Sequence, residues 1–105
     1  MAKITAKQFY DRIKNKSKYK LVNGLFIVKY VGNGNYQFIG NFYKKGRYGA
    51  TKEKSYVKVN PTRQLFNPSK KLVRTNLGVW KKLNISFKIK PISEILKWKT
   101  KQNHH

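Results

Sequence analysis

Residues 19–43 read YKLVNGLFIVKYVGNGNYQFIGNFY, and this stretch decides the fold. Its apolar and aromatic runs are separated by two Asn-Gly pairs, Asn23-Gly24 and Asn33-Gly34. A type I′ turn favours this pair, because both of its central residues need a positive φ. The stretch therefore predicts a three-stranded antiparallel meander. Counting outward from two-residue turns pairs Val22 with Leu25 and Lys29 with Phe38. Both faces of the meander are rich in apolar groups, so we expect the rest of the chain to cover both in part.

Helices are predicted on both sides of the meander. Thr5 and Gln8 form a capping box ahead of apolar residues at helical spacing, which predicts an N-terminal helix over about 6–15. An Asn-Pro pair predicts the start of a short middle helix over about 68–75. A serine after a proline predicts a C-terminal helix over about 93–99.

Two further apolar alternations, at 55–59 and 84–90, predict strands. The predicted fold class is therefore α+β: an antiparallel meander sheet of about four to five strands, a capped N-terminal helix, a short middle helix and a C-terminal helix. The length of 105 residues fits one domain over 1–105, with 99–105 as a flexible tail.

The charge is the most unusual property of the chain. Its 25 Lys and Arg residues are opposed only by Asp11, Glu53 and Glu94, which gives a formal net charge of +22. Net charge is an argument about partners rather than about fold. Repulsion among so many cations is relieved by a polyanion, so nucleic acid is the predicted partner.

Groups that commonly carry catalysis are scarce in this sequence. Cysteine is absent, which excludes disulfides and thiolate sites. The two histidines, His104 and His105, end the chain, where we interpret them as a disordered end, native or left from a purification tag, rather than a metal site. We therefore predict that the protein is not an enzyme and uses no cofactor.

No apolar run is long enough to span a membrane, and the N-terminus lacks a signal-peptide pattern. These features predict a cytoplasmic protein without a membrane partner. The excess of lysine over arginine, with abundant Asn, Ile, Tyr and Phe, is typical of AT-rich coding. This bias indicates a low-GC bacterium, its phage or its plasmid.

Two clusters of cations are the predicted contact residues. Residues 44–54 form a glycine-containing basic loop, interpreted as the wing-like tip of a long hairpin, with the candidate side chains Lys44, Lys45, Arg47, Tyr48, Lys52 and Lys54. The second cluster comprises Arg63, Lys70, Lys71 and Arg74. On a helix over 68–75, the last three of these would form one basic face.

The leading prediction is a small DNA-binding accessory protein that grips the phosphate backbone of duplex DNA, as a homodimer if the DNA site is symmetric. An RNA-binding or single-strand-binding protein is the neighbouring alternative, with Tyr36 and Phe38 stacking on bases beside Lys20 and Lys29. A metal-independent, toxin-like ribonuclease would use Arg47, Tyr48 or Arg74. A phage or plasmid inhibitor that docks on an acidic protein is the fourth candidate.

Overall fold

An antiparallel sheet connects most of the described chain. The computed structural model describes residues 2–43, 55–84 and 86–97. Within these ranges the elements, in chain order, are β1 (Ala2–Thr5), α1 (Ala6–Arg12), a first 3-10 helix (Lys16–Lys18), β2 (Tyr19–Val22), β3 (Phe26–Gly32), β4 (Asn35–Tyr43), β5 (Tyr56–Val59), β6 (Leu65–Asn67), β7 (Leu72–Arg74), β8 (Trp80–Lys82), β9 (Ile89–Pro91) and a second 3-10 helix (Ile92–Leu96).

The sheet is larger than the sequence pattern predicts. Its nine described strands replace the predicted four to five, and its main path is β8-β7-β6-β4-β3-β2-β9. Two strands pair with the same edge of β4. Tyr36 and Gln37 pair with β6, and the segment from Gly40 to Tyr43 pairs with β5. Strand β5 pairs in turn with β1. The predicted return of 55–59 beside β4 is thus confirmed. Four of the strands have only three residues, too few to show an alternating pattern.

Both Asn-Gly turns are confirmed. Asn23, Gly24, Asn33 and Gly34 all have positive φ, between 55° and 77°. The predicted pairing is wrong in part, because the first hairpin pairs Val22 with Phe26 and leaves one extra residue in the turn.

A second irregularity lies between β3 and β4, where the register shifts between Tyr30 and Gly32 and shifts back between Ile27 and Val28. Between the two shifts, Val28 rather than Lys29 pairs with Phe38, and Lys29 pairs with Gln37. Because a one-residue slip moves a side chain to the other face, Lys29 does not join Phe38 in the predicted aromatic and lysine surface.

The N-terminal helix begins where it is predicted to begin. The Thr5 hydroxyl accepts a hydrogen bond from the Gln8 backbone N–H at 3.1 Å, and the Thr5 N–H donates to Gln8 Oε1 at 3.0 Å. The helix ends at Arg12, three residues early, because Ile13 is already extended and Asn15 adopts a left-handed conformation with φ 52°.

The predicted middle helix is wrong. Residues 65–67 and 72–74 form a β-hairpin, with Phe66 paired to Val73. Asn67 does act as a cap, but of the turn: its Oδ1 accepts from the Lys70 N–H at 3.1 Å, and its Nδ2 donates to Asn35 Oδ1 at 3.1 Å. The hairpin buries the Phe66 ring beside β4, and this burial stabilises the hairpin more than the backbone hydrogen bonds of a short helix would stabilise that helix.

The predicted C-terminal helix is also wrong, and the strand before it is shorter than expected. In the described part of 84–91, pairing is limited to Ile89–Pro91, which pairs with β2, and a 3-10 helix over Ile92–Leu96 follows. A 3-10 helix has three residues per turn, so Ile92 and Ile95 lie on one side, and both are buried. The end of the predicted helix, 98–99, lies outside the described residues.

Each face of the sheet has its own apolar core, which confirms that both faces are covered. We call the two faces the helix-side face and the far face. On the helix-side face, Leu21, Ile27 and Phe42 pack with α1 and the second 3-10 helix. On the far face, Val22 and Val28 pack with Phe66. The seven residues of α1, the longest helix in the described chain, are far short of the roughly 20 needed to cross a membrane.

Replacing Gly40 by alanine is expected to destabilise the fold by about 1–3 kcal/mol, through steric overlap. Gly40 lies where β4 and β5 pair, and a Cβ atom there would collide with the carbonyl oxygen of Lys58. This atom belongs to the backbone and cannot rotate away. Urea denaturation of G40A measures the loss, and a variant within about 0.5 kcal/mol of the wild type would show that the two strands are not this close.

Candidate nucleic-acid interface

The described residues include only four of the ten predicted nucleic-acid contact residues. The loop residues Lys44, Lys45, Arg47, Tyr48, Lys52 and Lys54 lie outside the described residues. The other four, Arg63, Lys70, Lys71 and Arg74, lie on or beside the β6–β7 hairpin rather than on a helix. The hairpin divides these four between its two ends.

Arg63 and Arg74 come together at the open end of the hairpin. Leu65 pairs with Arg74, and the Arg63 backbone N–H donates to Asn76 Oδ1 at 3.2 Å, which ties the two chain segments together. Both arginines line one pocket of about 390 Å³. We call it the arginine pocket; its other walls are Gln37, Leu65 and residues 75–78.

The walls of the arginine pocket are set by local hydrogen bonds. The Gln37 amide donates to the Thr62 carbonyl at 2.8 Å, which fixes its orientation. The turn after β7 is closed by the Gly78 N–H, which donates to the Thr75 carbonyl at 2.9 Å, and Gly78 has φ 87°. The Arg74 guanidinium lies over this turn, since a Cβ atom on Gly78 would be 3.5 Å from Arg74 Nη2. Among the described residues, the lining contains no carboxylate that would compete for the two guanidiniums.

Lys70 and Lys71 lie at the closed end of the same hairpin. Both are exposed in the turn that Asn67 caps, and Lys71 has φ 56°. The predicted single basic face of Lys70, Lys71 and Arg74 is therefore not formed.

Cross-strand neighbours extend the arginine pocket into a row across the sheet. Lys29 pairs with Gln37, Gln37 with Leu65, Leu65 with Arg74, and Arg74 with Trp80. Directly paired residues share a face, so these five side chains all lie on the helix-side face. Trp80 is 42% exposed. Sequence reasoning missed this row because it depends on pairings between short strands.

The acidic side chains of the described chain are already paired. Asp11 and Glu94 are the two that it contains, and they bind Lys7 at 3.1 Å and Lys97 at 3.0 Å. Asp11 lies on α1 and Glu94 on the second 3-10 helix, and these two helices pack against each other. The described strands and turns therefore carry cations without carboxylates, which favours an anionic ligand along the sheet.

A second cationic cluster lies on the far face, where β4, β5 and β1 run side by side. The rings of Tyr43 and Tyr56 stack, with centroids 4.8 Å apart and planes 16° apart. Lys58 Nζ lies 5.7 Å from the Tyr43 centroid, and Lys3 Nζ lies 4.4 Å from the Tyr56 centroid. We call these four residues the tyrosine platform. Lys3 reaches this platform because β1 pairs with β5. The sequence pattern does not predict β1 as a strand, so it does not predict the platform.

The comparisons with known proteins leave the function to the geometry. No protein-family model, curated protein or solved structure matches this chain. Within residues 2–43, 55–84 and 86–97, no group of three or more His, Asp or Glu side chains is placed to hold a metal ion.

Proposed function

We propose that the protein is a basic nucleic-acid-binding accessory protein that contacts the phosphate backbone. The observation that carries this proposal is the convergence of Arg63 and Arg74 on one pocket without a carboxylate. Arginine is suited to phosphate because its planar guanidinium donates two parallel hydrogen bonds and keeps its charge. Lys29 and Trp80, on the same face, extend the contact along a strand of nucleic acid.

Backbone phosphates are common to duplex DNA, single strands and RNA, so this contact by itself does not select among them. Duplex DNA, bound through the 44–54 loop as a wing and by a homodimer on a symmetric site, remains part of the proposal. The proposal also includes a cytoplasmic location, because the protein would encounter nucleic acid there.

Removing both guanidiniums tests the pocket. The double variant Arg63→Ala/Arg74→Ala is expected to lose about tenfold in affinity for a labelled oligonucleotide. The slope of log affinity against log salt should become shallower by about one unit per lost phosphate contact. Fluorescence anisotropy across a salt series measures both quantities.

A matched control separates the pocket from charge in general. Arg12→Ala/Lys14→Ala removes the same two charges from exposed positions at the end of α1. If both double variants weaken binding equally, the arginine pocket is not the contact site. If the wild type binds no nucleic acid at low salt, the proposed function is wrong.

The remaining candidates are tested on the same preparation. Cleavage of RNA by the purified protein in the presence of a chelator would replace the binding role with the ribonuclease role. A complex with an acidic protein that survives nuclease treatment would replace it with the inhibitor role.

A further inference from the structure

The far face of the sheet contains a pocket that the phosphate contacts do not use. It encloses about 420 Å³, within the range of small-ligand sites. We call it the aromatic pocket, and the lining residues that matter here are Phe26, Phe38, Phe66, Phe87, Asn41 and Gln64. The rings contact one another, with centroids 5.9 Å apart for Phe38 and Phe66 and 4.4 Å apart for Phe66 and Phe87.

Two half-buried side-chain amides in this apolar lining have no hydrogen-bond partner among the described residues. Within the described chain, the side chains of Asn41 and Gln64 form no hydrogen bond, although both residues are half-buried. The Gln64 backbone is held in place, since its N–H donates to Thr62 Oγ1 at 3.1 Å and its carbonyl accepts from the Phe38 N–H at 3.3 Å. A primary amide offers donors and an acceptor side by side, the pattern that matches the edge of a nucleobase.

The aromatic pocket is continuous with the tyrosine platform. Asn41 pairs with Phe26 on one side and with Lys58 on the other, and Lys58 pairs with Lys3. Tyr43 lies two residues beyond Asn41 on the same face of β4, about 7 Å away. One nucleotide of an extended strand can span that distance. The two lysines are placed to contact the phosphates between a base in the pocket and a base on the platform.

We propose that the aromatic pocket binds one unpaired base of single-stranded nucleic acid while the next base stacks on Tyr43 of the tyrosine platform. This inference rests on the proposed nucleic-acid binding and adds to it a second site, which is specific for strands with unpaired bases. Aromatic rings, free amides and nearby lysines are the combination that single-stranded ligands require. A base within a duplex cannot enter the pocket, because both of its faces are covered by neighbouring base pairs and its Watson–Crick edge is already paired.

The decisive comparison uses two oligonucleotides with the same phosphates. One is a 15-residue oligothymidine, and the other is an abasic strand of equal length. The wild type is expected to bind oligothymidine about tenfold more tightly, because each stacked or buried base adds to affinity. Asn41→Leu/Gln64→Leu keeps the charge and approximate size of both side chains, and it is expected to remove most of that advantage while leaving abasic binding and the salt slope unchanged.

Nuclear magnetic resonance follows the wild type directly, so the proposal stays testable if the leucine variant fails to fold. The side-chain NH₂ signals of Asn41 and Gln64 are expected to shift with oligothymidine and to stay in place with the abasic strand. The Asn76 NH₂ signal, in the arginine pocket, is expected to shift with both. Equal affinity for the two strands, with unmoved Asn41 and Gln64 signals, would overturn the base pocket and leave phosphate binding intact. Binding of neither strand would overturn both.

Discussion

Binding to nucleic acid is expected to weaken by about a thousandfold when the salt concentration rises from about 50 to about 200 mM. Each phosphate neutralised by a lysine or arginine releases condensed counterions, so affinity falls as a power of the salt concentration. A loss of this size corresponds to about six phosphate contacts. That number is modest for a chain with 25 Lys and Arg residues and only three carboxylates.

The structure supports a steep dependence on salt. The carboxylates in the described chain, Asp11 and Glu94, are ion-paired on α1 and the second 3-10 helix, so none of the described carboxylates neutralises the cations along the sheet. Anisotropy with a labelled oligonucleotide, repeated across the salt range, measures the slope. The wild type and the Arg12→Ala/Lys14→Ala control should show nearly the same steep line, whereas Arg63→Ala/Arg74→Ala should be shallower. An affinity that is flat in salt would contradict phosphate binding.

Replacing Phe42 by alanine is expected to cost about 3–5 kcal/mol of unfolding free energy. Phe42 is 1% exposed and lies in the helix-side core, where β4 and β5 pack with α1 and the second 3-10 helix. Removing the ring loses its burial and leaves a cavity that the surrounding strands fill only in part. Small domains are stable by only about 5–15 kcal/mol, so this one substitution removes a large share of the total.

Urea denaturation followed by circular dichroism measures this loss. The slope of free energy against urea should stay near that of the wild type, because the folded state keeps its extent. Leu77→Ala is the matched control, since Leu77 is 89% exposed and its truncation should change stability by less than about 0.5 kcal/mol. A Phe42→Ala variant as stable as Leu77→Ala would show that the helix-side core is not packed as described.

Local chemistry was enough to predict the turns and the helix start. Asn and Gly tolerate a positive φ, and all four residues of the two Asn-Gly pairs adopt one in the turns between paired strands. The Thr5 and Gln8 capping box depends on groups three residues apart and needs no distant partner. The predicted pairing was less accurate, because the extra turn residue after Asn23-Gly24 and the register shifts beside Tyr30 and Ile27 are not marked by residue type.

The sequence predicted some residues of the candidate site but not how they are grouped. Arg63 and Arg74 were singled out as cations, but a helix over 68–75 would have grouped Arg74 with Lys70 and Lys71 instead. The hairpin reverses this grouping, since it places Arg74 beside the segment that carries Arg63 and leaves the lysines in the turn. The tyrosine platform was not visible, because it needs β1 and β5 to pair across more than 50 residues.

The sequence by itself determined the charge, the two Asn-Gly turns, the capped helix start and an apolar content that covers both sides of a sheet. These properties depend on composition or on residues within one turn of each other. Tertiary structure alone decided the number of strands, their register and which cations share a pocket. Strands of three residues, such as β6 to β9, have little preference of their own, and they become strands because a neighbouring strand offers hydrogen bonds and an apolar face to bury.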